Sequence, residues 1–288
     1  MIYGVKTVMK YLLGRDIADR DVAVYPDDTF IVSYPRSGNT WTRFLIANLL
    51  HPNMEVGFAN IESLVPDTAA LSSRTLKRIA RPRILKSHQY FDPRYPKVLY
   101  VVRDPRDVAL SYFQFHRKYG FIKDDHSIEQ FVGDFVAGRL VSADWGTWAE
   151  NVASWFYTRR QSSNFLLVRY EDLKADTLRE LGKIARFLRV ESKPEHLNRA
   201  ISESSAERMR ELEKKQGNEW IGTRKHRKDI PFVGQASAGH WEQELSPACV
   251  SLMESAWGNL MMALGYELSL AKTASGRRSS HDLLRDRQ

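Results

Sequence analysis

Four short apolar runs, each closing on polar residues, most tightly limit how this chain folds: Thr29 to Tyr34, Arg83 to Lys86, Val98 to Arg103 and Phe165 to Tyr170. Runs of this length and β-branched or aliphatic content read as buried strands. Helical patterns follow the first, third and fourth. After the first, Trp41, Phe44, Leu45 and Leu49 fall on one face at helical spacing. After the third, Asp104 and Pro105 give an N-cap followed by proline at the first helical position, and Asp107 is expected to complete a box-like start. After the fourth, Glu171 and Asp172 put carboxylates where the helix dipole favours them. This alternation predicts an α/β fold: a single domain with a central, mainly parallel sheet flanked by helices. In such sheets ligands sit beyond the carboxyl ends of the strands. The chemistry should therefore lie there.

A chain of 288 residues fits one large α/β unit, and 43% hydrophobic content supports a substantial core. The domain is expected over residues 28–270, with an N-terminal extension over 1–27 and a tail without regular structure over 271–288. Apolar residues between Met1 and Arg15 are interrupted by Lys6 and Lys10 and are too few to span a bilayer. Cys249 is the one cysteine, which excludes an intramolecular disulfide and suits a reducing, cytoplasmic setting. A formal charge of +8 favours anionic partners: nucleic acid, an acidic membrane or a phosphorylated small molecule. Many of the cations fall between Glu211 and Lys228, a stretch expected to be mobile.

Two strand-end segments carry anion-binding chemistry. Ser33-Tyr34-Pro35-Arg36-Ser37-Gly38-Asn39-Thr40-Trp41 joins the first strand to its helix. A loop in this place aims backbone N–H groups and the helix dipole at an anion. Gly38 permits a tight turn, Arg36 supplies charge, and Ser37 and Thr40 supply hydroxyls. The spacing is P-loop-like, but Ser33 replaces the first glycine and Asn39 the lysine, which argues against a Mg-dependent nucleotide kinase. An ordinary Ser/Gly turn would contain similar residues. In the second segment Arg103 closes a strand and Ser111 lies about two turns into the following helix, so both can converge on one anion. A solvated strand end with a helix-cap ion pair has the same composition.

Tyr34-Pro35-Arg36-Ser37-Gly38-Asn39-Thr40-Trp41 resembles the 5′-phosphosulfate loop of cytosolic-type sulfotransferases, usually Tyr-Pro-Lys-Ser-Gly-Thr-Thr-Trp. These enzymes use 3′-phosphoadenosine 5′-phosphosulfate (PAPS) and release PAP. Arg103-Asp104-Pro105-Arg106-Asp107-Val108-Ala109-Leu110-Ser111 is similar to their 3′-phosphate motif in content and spacing. The resemblance implies that Arg36 takes the place of the lysine on the leaving group, that Ser37, Gly38, Asn39 and Thr40 surround the 5′-phosphate, and that Trp41 stacks on adenine. It implies 3′-phosphate contacts for Arg103 and Ser111 and an adenine contact for Tyr170 in Tyr170-Glu171-Asp172. Ser204, Ser205, Ala206 and Met209 resemble the family's Thr-Ser-Phe…Met segment, and Gly146-Thr147-Trp148 with Val152 and Trp155 its Gly-Ser-Trp…Trp helix.

The chain also departs from the family. Gly239-His240-Trp241 matches Gly-Asp-Trp, but the preceding Arg-Lys-Gly falls on Gly234-Gln235-Ala236. Arg224, Lys225, Arg227 and Lys228 are the nearby cations that would replace it. The dimer segment is absent, with Glu242 at its lysine, which leaves the oligomeric state open.

Leu85-Lys86-Ser87-His88 resembles the family's Lys-Thr-His, whose histidine is the general base. His88 stands out among eight histidines because it closes a strand beside a lysine and in register with both nucleotide segments. Lys86 and Arg36 would stabilise the departing phosphate. No carboxylate or histidine cluster has metal-ligand spacing, so a metal-independent reaction is expected. A basic nucleic-acid-binding protein is the contrasting reading, but residues 211–228 hold only Trp220 among their cations, little for stacking on bases. A small-molecule acceptor, no nucleic acid and no membrane span are therefore expected. Asn151 stands where many relatives place a pocket histidine, so their acceptor preference does not carry over.

Overall fold

The computed structural model describes residues 22–140, 145–190, 193–234 and 236–269. Most of the expected N-terminal extension and all of the expected tail lie outside these residues. Strands β1 (Thr29–Ser33), β2 (Ile84–Ser87), β3 (Lys97–Val102) and β4 (Phe165–Arg169) form one sheet in the order β2-β1-β3-β4. Every pairing is parallel, with Val32 opposite Ser87 on one side and Tyr100 on the other. All four expected strands are present, with ends shifted by a residue or so.

Helices longer than two turns are α1 (Asn39–Leu50), α2 (Pro105–Tyr119), α3 (Ile128–Val136), α4 (Trp148–Arg159), α5 (Thr177–Leu188), α6 (Pro194–Glu203), α7 (Ala206–Gln216) and α8 (Pro247–Ala263). Successive strand residues point to opposite faces, and the core divides accordingly. Ile31, Leu99 and Val101 pack with Phe44, Leu45, Ile184 and Leu212, under α1, α5, α6 and α7. Phe30, Val32, Tyr100 and Val102 pack with Tyr112, Phe131, Trp155 and Met253, under α2, α3, α4 and α8. β1 is buried at all five positions, and each large apolar side chain so covered contributes about 1.5–3 kcal/mol. The strand order reverses between β1 and β3, the place where open α/β sheets hold their ligands.

The N-terminus of α2 differs from the expected box. The Asp104 carboxylate caps Arg106 N at 2.9 Å, and Pro105 follows at the first helical position. Asp107 does not return to the cap. It accepts from Gly239 N at 2.7 Å and Trp241 N at 3.1 Å, while the Asp104 N–H goes to Glu171 at 2.9 Å. A carboxylate from the end of β4 has taken the reciprocal bond, freeing Asp107 to hold a distant loop. A true capping box occurs instead at α4, between Thr147 and Glu150.

Residues 211–228, expected to be mobile, contain the later part of a helix and a run of turns. They begin in α7 and continue as turns held by Trp220, which packs on Phe58 at 4.8 Å and donates to Glu62 at 3.1 Å. Thr223 and Lys228 add bonds to the Gly217 carbonyl, and Lys118 donates to Arg227 O, so the segment is packed as well as charged.

The starts of β1 and β2 are joined by a buried ion pair. Arg83 donates to Asp28 at 2.9 and 2.5 Å and to the carbonyls of Leu76 and Ala23, with both side chains 0% exposed. Among the described residues, no helix is long and apolar enough to cross a membrane. Removing one member of a buried pair strands the other charge. Asp28→Asn should therefore lower unfolding free energy by about 3–5 kcal/mol in urea titration, and a loss below about 1 kcal/mol would show the pair to be dispensable.

Candidate active site

β1 ends at Ser33, and residues 34–38 turn the chain into α1. The turn needs left-handed backbone at Arg36 (φ 67°) and Gly38 (φ 93°). A Cβ on Gly38 would lie 2.4 Å from the Tyr170 ring, so glycine serves both the conformation and the close approach of the β4 end. Asn39, at the position of a P-loop lysine, faces back into the protein: its amide donates to Ile31 O at 3.3 Å and Ser33 Oγ at 3.1 Å. Its side chain braces the loop rather than lining it. Ser37 is fully buried with its hydroxyl unpartnered, and Thr40 is half-buried on the first turn of α1.

The two anion segments meet. Arg103 Nη1 donates to Arg36 O at 3.3 Å, and Nη2 donates to Ser237 O at 2.9 Å. Arg36 Nε donates to Ser111 Oγ at 3.1 Å and Nη2 to Phe232 O at 3.3 Å. The Arg36 guanidinium lies between the rings of Phe115 and Phe232, 5.3 and 4.9 Å from their centroids. Burial, reinforced by Arg103, lowers its pKa to about 10, which still leaves it charged at neutral pH. Arg103 sits 4.5 Å above the Tyr170 ring, and Trp41 meets Tyr170 edge-on at 5.7 Å. Ser204 belongs to the same cluster in a supporting role: it is fully buried, its hydroxyl accepts from Asn48 at 3.0 Å, and its carbonyl accepts from Trp41 Nε1 at 3.0 Å.

These groups fit a phosphorylated ligand. The Ser37 and Ser237 hydroxyls and Arg103 Nε are buried without hydrogen-bond partners, and each can donate. Such orphaned donors around two guanidiniums suit phosphate oxygens. The four cations expected to replace Arg-Lys-Gly are placed differently. Arg227 pairs with Asp124 and Asp229 at 2.6 Å each, and Lys228 donates to the carbonyls of Gly217 and Thr223. Arg224 and Lys225 are exposed. Of the Gly234-Gln235-Ala236 segment, Gln235 lies outside the described residues. Ser237, which sequence reasoning passed over, is the residue that meets Arg103.

His88 follows β2 and leans toward the β1 end. Its Nδ1 lies 2.7 Å from Ser33 O and 3.4 Å from Ser33 Oγ. A carbonyl only accepts, so Nδ1 carries the proton and Nε2 keeps its lone pair. Burial and then the neighbouring Lys86 push the imidazole pKa down to about 3, with Asp67 opposing. The ring is therefore neutral at physiological pH. Lys86 pairs with Asp67 at 2.6 Å, whereas Arg36 donates to Ser111. Asp67 escaped sequence reading because it sits in a loop nineteen residues upstream, joined to Lys86 by an isolated backbone bridge that no local pattern announces. Among the described residues, no group of three or more His, Cys, Asp or Glu side chains is placed to share a metal ion.

Comparison with known proteins accords with this arrangement. Residues 26–265 match the family model described as Sulfotransferase domain. Sulfotransferase 2A1 of Homo sapiens is 31% identical over 214 residues, covering 68% of this chain and 71% of that protein. Sulfotransferase 2A1 of Macaca fascicularis is 28% identical over 265 residues, covering 88% and 90%. Among solved structures, mouse sulfotransferase SULT7A1 complexed with PAP aligns with a TM-score of 0.69 at 23% identity, covering 83% of this chain and 85% of that chain. Retinol dehydratase in complex with androsterone and inactive cofactor PAP aligns at 0.68 and 20% identity, covering 85% and 83%. At those identities the structures speak for the fold. The domain match spans most of the chain, and with it this protein belongs to the sulfotransferase family.

Proposed function

We propose that this enzyme transfers a sulfuryl group from PAPS to a hydroxyl or amine of a small-molecule acceptor by in-line displacement, with His88 as general base. One observation carries the reading: His88 Nδ1 is bonded to the carbonyl of Ser33, the residue from which the phosphate loop springs, so base and loop share a strand end. The resemblance of both nucleotide segments to those of PAPS-dependent enzymes supports the donor, as do fold relatives crystallised with PAP.

When bound, the nucleotide supplies the sulfuryl group and the bisphosphate that leaves. Arg36, Ser37 and the N–H groups at the start of α1 would hold its 5′ end, and Arg103 and Ser111 its 3′-phosphate. Trp41 and Tyr170 offer aromatic surface for the base. His88 Nε2 takes the acceptor proton, strengthening the acceptor as it attacks. The Ser33 carbonyl keeps Nδ1 protonated, so the lone pair is on Nε2 until it takes that proton. The Lys86 ammonium stands by the base, and its charge is positioned to meet negative charge that builds on leaving oxygens. Asp67 fixes that ammonium and restrains its pull on the His88 pKa.

This assignment makes PAP a stabilising ligand without any metal. In EDTA, PAP at a hundred times its Kd should raise unfolding free energy by about 2.7 kcal/mol, seen as a melting shift of several degrees. A shift produced only by Mg-ATP would point to a kinase instead.

His88→Ala should bind PAP as the parent does, yet lose a factor of about 10² to 10⁴ in kcat. Turnover is followed with radiolabelled PAPS and the best acceptor from a panel of phenols, alcohols and amines. The His88 ring protons of the free protein should hold their NMR shifts from pH 8 down to pH 5, because burial disfavours the imidazolium. Full turnover in the variant would contradict the assignment, whereas titration near 6.5 would contradict only the buried, neutral state of the ring.

A further inference from the structure

Helix α4 brings polar groups into the core on one face. Trp148, Asn151 and Trp155 are each fully buried and recur at i, i+3 and i+7. Trp148 Nε1 donates to Arg103 O at 3.2 Å, and Trp155 Nε1 donates to Gln89 O at 2.9 Å. Asn151 Nδ2 donates to His88 O at 3.0 Å and to Trp145 O at 2.9 Å. All of these acceptors belong to segments that follow β2 and β3 or lead into α4, at the end of the sheet where the site lies.

The Asn151 amide is wholly engaged. Its two hydrogens end on two carbonyls, and its Oδ1 accepts from Tyr100 OH at 2.7 Å. Both partners of Nδ2 are acceptors and the partner of Oδ1 is a donor, so only one amide orientation satisfies all three. No polar hydrogen is left for an acceptor molecule. A neutral imidazole, with its single N–H, could not serve both carbonyls. The consequence reaches the base, because Trp145, held by the same amide, meets the His88 ring edge-on at 5.7 Å and 67°.

We propose that Asn151 is a positioning residue that fixes the His88 main chain and sets Trp145 as a wall against the His88 ring, with Tyr100 fixing the amide in turn. This rests on the reading of His88 as the base. Through that geometry Asn151 governs turnover and the direction from which an acceptor reaches Nε2, while leaving the nucleotide cradle alone.

The test compares Asn151→Ala and Tyr100→Phe in the full chain, the second guarding against a first variant that fails to fold. NMR of the free protein gives an acceptor-independent readout, with the His88 ring signals assigned by their loss in His88→Ala. Release of Trp145 should move those signals by removing its ring current. In the sulfuryl-transfer assay, kcat should fall about tenfold to a hundredfold, the scale of a displacement near 1 Å. PAP Kd should stay within about twofold of the parent value, well inside the tenfold that one lost strong contact produces. Asn151→Ala or Tyr100→Phe added to His88→Ala should cost nothing further. Unmoved His88 signals with parental kcat, or an equal loss on the His88→Ala background, would overturn the proposal. Full turnover in His88→Ala would instead remove the base assignment itself.

Discussion

A guanidinium bonded to the backbone of a residue bearing another guanidinium is the constraint on which the site depends. Arg103 donates to the carbonyl of Arg36, so the loop after β1 and the end of β3 bring their cations to one place. Among the described residues neither arginine reaches a carboxylate in a short ion pair: Arg36 bonds to a hydroxyl and a carbonyl, and Arg103 lies 3.9 Å from Asp107. Two half-buried cations side by side repel, and the Arg36 pKa is lowered first by desolvation and further by Arg103. An anion of high charge resolves it. Parallel pairing of β1 with β3 creates the situation, because adjacent parallel strands end at the same level with their loops abutting.

The sheet organises the rest in the same way. Ser33, His88 and Arg103 come from three neighbouring strand ends, and none is near another in sequence. Rigid strands set the framework, and hydrogen bonds from outside then fix the residues at each strand end. Trp148 supports Arg103, Asn151 supports His88, and Asp67 supports Lys86. Trp148 and Asn151 are more deeply buried than Arg103 and His88, in keeping with a preorganised site.

Much of the strand framework was legible because both faces of β1 and β3 are buried, which writes near-continuous apolar runs into the sequence. Gly38 was legible for a similar reason, since a turn between strand and helix has few solutions. Local patterns failed where a residue acts at a distance. Asp107 resembled half of a capping box, yet Gly239 and Trp241 claimed it, and Glu171 took the cap. Asn39 lies in the loop by sequence, but its side-chain amide bonds back to Ile31 O and Ser33 Oγ, contacts that no local pattern announces. Trp148 and Trp155 resemble the family's Gly-Ser-Trp…Trp helix in sequence, but no local pattern shows that their N–H groups hold the strand ends. Cations at 224–228 appeared to compensate for Gly234-Gln235-Ala236, but composition carries no information about direction, and Arg227 and Lys228 spend their charge locally.

The most direct measurement is calorimetric titration of PAP against AMP, which lacks the 3′-phosphate, for the parent protein and Arg103→Ala. If the two strand ends grip one bisphosphorylated nucleotide, the parent should prefer PAP by more than about tenfold, the worth of a charge-assisted contact. That preference should collapse in the variant. Equal affinities in the parent, or a preference that survives loss of Arg103, would contradict a shared cradle.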